Sequence, residues 1–272
     1  MDELQNNEEP VEDLLESEEL GVTDKIVGVL TEPSDLFQKL SNLPVKTMDW
    51  VLPLLLLIVA VIAMQFITSS NPEIKANMIE QQMERFEKNM QEAVDKGQMT
   101  QQQADQQLDM IQEQMEKGGS MQLIFGAIGA LIMVFLMFFI VSGVFLLLAK
   151  FALGGTGDYK NSMLAYGLPH YIGIVQIIIM IVSAIALGKM FQDTSIGSYM
   201  GMEPEGIVGW FMHKLDPLSI WFYSVVGIAY AKLFKSDDTI KYIIAILGMW
   251  IGFSLIMHFI AQAFPFLKMF GM

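Results

Sequence analysis

The sequence predicts an all-α polytopic membrane protein: five transmembrane helices, with an extramembrane helical hairpin between the first two. Three observations carry this. Five apolar segments run through the 272 residues, at about 50–67, 121–149, 163–187, 215–234 and 240–264. About 20 helical residues cross a ~30 Å hydrocarbon core, so these lengths fit bilayer spans. The second segment has only Gln122 and Ser142 as clearly polar side chains across its 29 positions. The composition agrees, at 53% hydrophobic and 17% charged, against about 25% charged in a soluble domain.

The charge is sorted in the same way. Residues 1–49 carry 13 acidic and 3 basic side chains, and residues 71–118 carry 10 and 5, within a net charge of −14. Such acidity argues against nucleic-acid binding and against a polybasic lipid-binding surface. There is no cysteine, which excludes disulfides, thiolate metal sites and thiol nucleophiles. The N-terminus lacks a basic region followed by a short apolar run, so the first span is expected to act as the targeting signal.

Residues 1–22 read as an acidic disordered tail, or as a docking peptide for a basic partner. From 23 to 49 the pattern becomes amphipathic. Ile26, Val27 and Leu30, then Leu36, Phe37, Leu40 and Leu43, recur at helical spacing around Thr31-Glu32-Pro33-Ser34-Asp35. Polar caps and an early proline make a good helix start. One or two juxtamembrane helices lying at the membrane surface are expected. Pro44 and Trp50 mark where the first span begins, with the indole at interface depth.

Residues 71–118 form the hairpin. Asn71 and Pro72 open its first helix, whose stripe is Ile74, Met78 or Ile79, Met83, Phe86, Met90 and Val94. Lys96-Gly97 ends it, and Thr100 with Gln103 makes a capping box for the second. Ala104, Leu108, Ile111 and Met115 form the second stripe, and Gly118-Gly119 break the helix. These narrow, Met-rich stripes suit either packing of the two helices on each other or a coiled coil with a partner or second copy.

Residues 119–266 hold spans two to five. Between the third and fourth, residues 188–214 suit an interfacial segment in which Pro204-Glu205 start a short helix with Ile207, Trp210, Phe211 and Lys214. Lys and Arg near span ends number seven on the N-terminal side and five on the other. That bias favours a cytoplasmic N-terminus with hairpin and C-terminus outside.

Polar groups within a bilayer need a reason. The third span holds Tyr166, Pro169, His170 and Gln176. Pro169 is expected to kink it, and His170 either pairs with a freed carbonyl or belongs to a proton or substrate site. Ser254 and His258 stand one turn apart on the fifth span, without an acidic orienter or a motif exposing the serine. The three histidines are scattered and no phosphate loop is present, so no metal or cofactor is expected. Asp158, Asp216, Asp237 and Asp238 fall at span ends, which leaves no carboxylate mid-membrane. Gly126 and Gly129 on the second span, and Gly248 and Gly252 on the fifth, are small-residue faces for helix packing, within the chain rather than between copies.

Three stretches resemble the Yip family of membrane proteins (Ypt/Rab-GTPase-interacting proteins), and its bacterial members in particular. Thr31 to Leu40, with Pro33 and Phe37, resembles the family's pre-membrane segment. Gly154-Gly155-Thr156-Gly157-Asp158-Tyr159-Lys160, followed by Tyr166-Gly167-Leu168-Pro169, resembles its glycine turn and third span. Leu215-Asp216-Pro217-Leu218-Ser219-Ile220-Trp221 resembles the start of its fourth. The Asp-Leu-x-Gly-Pro element of eukaryotic members is absent, and the hairpin is longer than theirs. The resemblance implies a five-span protein without catalytic residues, in a bacterial inner membrane. The expected function is non-enzymatic, organising membrane or recruiting partners through 71–118 and the N-terminal region. The alternative is a small-solute transporter or channel using the polar groups of the third and fifth spans.

Overall fold

The computed structural model describes residues 20–117, 120–204 and 206–263, and every regular element among them is helical. Of the expected tail, residues 1–22, only the last three fall within them; Gly118-Gly119 and the surroundings of Gly126 lie outside. In chain order the helices are α1 (Val22–Thr31), α2 (Pro33–Leu40), α3 (Met48–Ser70), α4 (Pro72–Asp95), α5 (Gln101–Lys117), α6 (Ser120–Leu147), α7 (Tyr159–Gly167), α8 (His170–Leu187), α9 (Ile196–Met200), α10 (Gly206–Lys214), α11 (Pro217–Leu233) and α12 (Thr239–Ala263). Four stretches are long and apolar enough to cross a bilayer: α3, Leu131–Ala152 (the end of α6 with the π-helical turn Leu148–Ala152 that continues it), α7 with α8, and α12. Their outward faces carry large apolar side chains such as Phe66, Ile132, Val182 and Phe253, each more than half exposed. Apolar surface on that scale requires lipid around it. This is an all-α, multi-pass integral membrane protein.

The fourth crossing follows the expected 215–234 in α11, and α10 precedes it. Helix α11 alone is only 17 residues, roughly 25 Å at 1.5 Å per residue, short of the hydrocarbon core. It is completed by α10. Both run antiparallel to α12: Trp210 donates to Ser254 at 3.1 Å, Lys214 lies 5.5 Å over the Trp250 ring, Tyr223 stacks on Trp250, and Gly227 abuts Ile243. The crossing is therefore one helix broken at Leu215-Asp216. Pro217 explains the break, because it has no N–H and pushes the preceding residue to extended backbone; Asp216 sits at φ −111°, ψ 107°.

The segment 188–214 is accordingly not interfacial along its length. It descends beside α8, with Phe191 packed on Met180 and Ala184 and Thr194 bonded to Gln176, then rises, with Tyr199 bonded to Ser183. Its second limb is α10. The two limbs close on each other where Ile196 N–H donates to the Leu215 carbonyl. Backbone is tolerated at this depth only when protein covers it, and Phe191, Ser195 and Asp216 are buried.

Helices α1 and α2 form with the amphipathic stripe their periodicity predicts, and protein rather than lipid covers it. Their apolar stripe turns inward onto α11 and α8: Val29 and Phe37 are fully buried, Leu36 and Leu40 nearly so. A 2.6 Å ion pair from Lys25 to the buried Asp49 ties α1 to the start of α3. Trp50 also packs inside the bundle, stacked 5.2 Å from the Phe138 ring and against Gly167, where an added Cβ would come within 2.5 Å of Trp50 Cβ. Core residues form two groups. One surrounds Phe37, Leu164, Val226, Tyr230 and Tyr242 towards the N-terminal side, and the other joins Met64, Ile74, Ile177, Met180 and Phe191 towards the hairpin.

The hairpin begins where Asn71 accepts from the N–H groups of Glu73 and Ile74, which caps α4. Thr100 and Gln103 exchange the two bonds that open α5. The base of α4 is fixed to the bundle: Ile74 is fully buried, Asn77 Nδ2 donates to the Gly188 carbonyl at 2.9 Å, and Arg85 pairs with Glu203 at 3.9 Å. Farther along, Met90, Ala93 and Ala104 are buried, whereas Met83, Phe86, Leu108 and Ile111 stay half-buried and Met110 is exposed.

Among the described residues, a Cβ added at Gly129, Gly248 or Gly252 would meet no atom within 4 Å. The reason is that α12 packs along α11 through its other side, on Tyr242 and Ile246.

Candidate functional site

Pro169 divides the third crossing into α7 and α8. Without its N–H the helix cannot close normally there, and Tyr171 N–H turns back to the Leu168 carbonyl. His170 occupies the gap. Its Nδ1 lies 2.9 Å from the Tyr166 carbonyl and 3.1 Å from that of Gly167. Both are acceptors, so Nδ1 carries the proton. The imidazole is further enclosed by the rings of Phe138, Tyr166 and Phe222.

Two turns farther along α8, Gln176 meets Asp216 at the helix break. Asp216 is 2% exposed. Its Oδ2 accepts from Gln176 Nε2 at 2.7 Å and Ser219 Oγ at 2.7 Å; its Oδ1 accepts from Thr194 Oγ1 at 2.6 Å and Leu218 N at 3.1 Å. Gln176 stands eleven residues before the end of α8 at Leu187, roughly 16 Å of helix. A carboxylate thus does lie deep in the bundle. Asp216 is a span end in sequence, but the re-entry of 188–216 carries it down to Gln176. It caps α11, a favourable place for a negative group, and neutral donors satisfy it.

A second polar cluster adjoins it. Asp193 accepts from Ser195 and Ser198, and from His213 Nδ1 at 3.1 Å, while His213 Nε2 lies 2.9 Å from the Met202 carbonyl. Gly197 is required here, since a Cβ would come within 2.7 Å of the His213 ring. Together the clusters clasp the two limbs of the re-entrant segment.

A cavity of about 600 Å³ lies between the two core groups, walled by α3, α8 and α11. Tyr166, His170, Gln176 and Ser219 face it, among Leu57, Val61, Met64, Ile177 and Met180. A smaller chamber of about 280 Å³ sits beyond it, under α4, and is polar: Gln82, Glu84, Arg85, Lys189, Glu203 and His213 are on its walls. The two share Met190, Phe191 and Gln192. Ser254 and His258 are on neither wall. Ser254 accepts from Trp210, and His258 Nε2 accepts from Gln262 at 2.9 Å. The third-span and fifth-span polar residues therefore do not converge. Among the described residues no group of His, Cys, Asp and Glu is placed to hold a metal ion.

The broken fourth crossing, the kinked third and the inward-packed leading helices can be set beside known families. The family model of the Yip1 domain matches residues 27–260. The chain belongs to the Yip1 domain family. No curated protein and no solved structure matches it. In this Yip1-domain protein the motif residues stand where backbones meet or turn. Pro33 opens α2 and Phe37 is its deepest side chain. Gly154 has φ +78°, which favours glycine, and a Cβ on Gly155 would come within 2.8 Å of Phe234 Cβ. Tyr166, Gly167 and Pro169 build the kink; Asp216 and Pro217 build the break. Sequence reasoning missed Thr194, Ser219, Asp193 and His213. The signal available was Asp-Pro at the head of an apolar run, which marks a helix start.

Proposed function

We propose that this Yip1-domain protein is a non-enzymatic membrane organiser that recruits a protein partner, or a second copy, through the α4–α5 hairpin. The carrying observation is the contrast along the hairpin. Its base is held to the bundle by Ile74 and Asn77, while farther along Met83, Phe86, Leu108 and Ile111 stay half-buried and Met110 is exposed. A platform held rigidly at one end with adaptable Met-rich surface at the other suits docking. The acidic N-terminal region adds an attraction for a basic partner. The setting is a bacterial inner membrane, with the N-terminus cytoplasmic and the hairpin outside.

The test replaces residues 79–112 with a short Gly/Ser linker, which keeps Ile74 and Asn77. Cross-linking in native membranes is expected to show loss of a hetero- or homo-oligomeric adduct. If every adduct and the oligomeric state are unchanged, the hairpin is not the docking element. The transport alternative draws on Tyr166, His170 and Gln176 sharing a cavity, and Ser254 and His258 stand away from it. Replacing His170 and Gln176 with Leu in reconstituted vesicles tests it, since a solute path through them predicts lost flux.

A further inference from the structure

The two chambers differ in the way a membrane lipid differs from end to end. The larger lies level with the middle of α3, where Leu57 and Val61 line it. Its walls mix aliphatic and Met side chains with the rings of Phe191, Phe222 and Tyr223 and the polar groups named above, and it reaches the lipid-facing surface at Val61, which is 50% exposed. The smaller lies under α4, at the hairpin end of the crossings, and is lined by Arg85, Lys189, His213, Glu84 and Glu203, with Arg85 paired to Glu203 at 3.9 Å. Both signs of charge are therefore presented, at the level where a bilayer has its headgroups. The two chambers share Met190, Phe191 and Gln192 as wall. A volume of about 600 Å³ falls within the ~300–1,000 Å³ of ordinary ligand pockets.

We infer that the paired chambers hold one bilayer glycerophospholipid. An acyl chain enters past Val61 into the larger chamber, and the phosphate is held by Arg85 and Lys189 in the smaller one. Arg and Lys are the usual partners of a phosphate oxygen, and such charge-assisted bonds are the strong ones. Glu84 and Glu203 match an amine on the headgroup, so phosphatidylethanolamine is the expected lipid. Gln192, on the shared wall, is placed beside the ester region. A chain seated here would also separate the two core groups without leaving a void between α3, α8 and α11. This inference does not depend on the hairpin's docking role.

Native mass spectrometry of the full-length protein, purified in mild detergent and exposed to phosphatidylethanolamine, tests it. About one bound lipid per chain is expected. Val61→Phe, which fills the chamber from its exposed edge, is expected to weaken retention about tenfold, as is Arg85→Gln with Lys189→Gln. The charge variant is expected to leave binding of a diacylglycerol with the same chains unchanged, because that molecule has no phosphate. Thermal unfolding confirms that each variant is folded. The inference is overturned if both variants retain phosphatidylethanolamine as the parent does, or if diacylglycerol binds as tightly. It is equally overturned if inorganic phosphate alone displaces the lipid, which would make the polar chamber a free-phosphate site.

Discussion

Asp216 accepts four hydrogen bonds and has a neutral donor on each. Deep in a bundle, that arrangement is sensitive to truncation. Asp216→Ala removes the acceptor that Gln176, Thr194, Ser219 and the Leu218 N–H share, and an unsatisfied buried donor costs about 1–3 kcal/mol. The expected loss is about 3 kcal/mol or more, read by thermal unfolding in detergent. Asp216→Asn keeps the shape and one acceptor oxygen, and is expected to lose clearly less. Equal stability of Ala and parent would mean that the helix break does not depend on this carboxylate. His170 differs in kind. Its bonds are to carbonyls released by Pro169, so its first role is to satisfy backbone.

At the scale of elements, α1 and α2 settle whether the leading segment is a surface attachment or part of the core. Phe37 is fully buried against the group that includes Val226 and Tyr230. Phe37→Ala is expected to cost about 3–5 kcal/mol of stability, the usual range for emptying a buried aromatic site. A surface-lying helix would lose membrane affinity and leave the unfolding of the bundle unmoved. The re-entrant 188–216 segment is the other decisive element. Its helices are short, at 5 and 9 residues, and cannot be stable alone in water. They are held by Phe191 in the core, by the Asp193 and Asp216 clusters, and by Trp210 on Ser254.

At the scale of the molecule, five crossings leave the hairpin and the C-terminal end of α12 on one side, and α1, α2 and the connection after α11 on the other. The absence of cysteine makes this measurable. Met110→Cys is expected to react with a membrane-impermeant maleimide from outside the cell, and Lys235→Cys only after the membrane is opened. The reverse pattern would invert the orientation. The large apolar faces of α6 and α12, including Ile132, Ile244 and Phe259, are exposed among the described residues. Lipid covers them, and Gly248 and Gly252 open on the same surroundings.

The sequence by itself determined the membrane class, the hairpin, the kink at Pro169 and the Yip resemblance. Each rests on a local signal: apolar length, 3.6-residue periodicity, or a proline. It could not determine depth. Residues 188–214 carry enough polar and small residues to read as interfacial, and Asp216 reads as a span end. Only tertiary contacts show that the limbs pair with α8 and α12 and draw the carboxylate inward. Periodicity also shows that α12 has a small-residue face but not which neighbour takes it. Likewise the amphipathic stripe of α1 and α2 is the same whether it meets lipid or protein. What decided it was the shape of the space beside α11, which Phe37 fills and which no one-dimensional pattern contains.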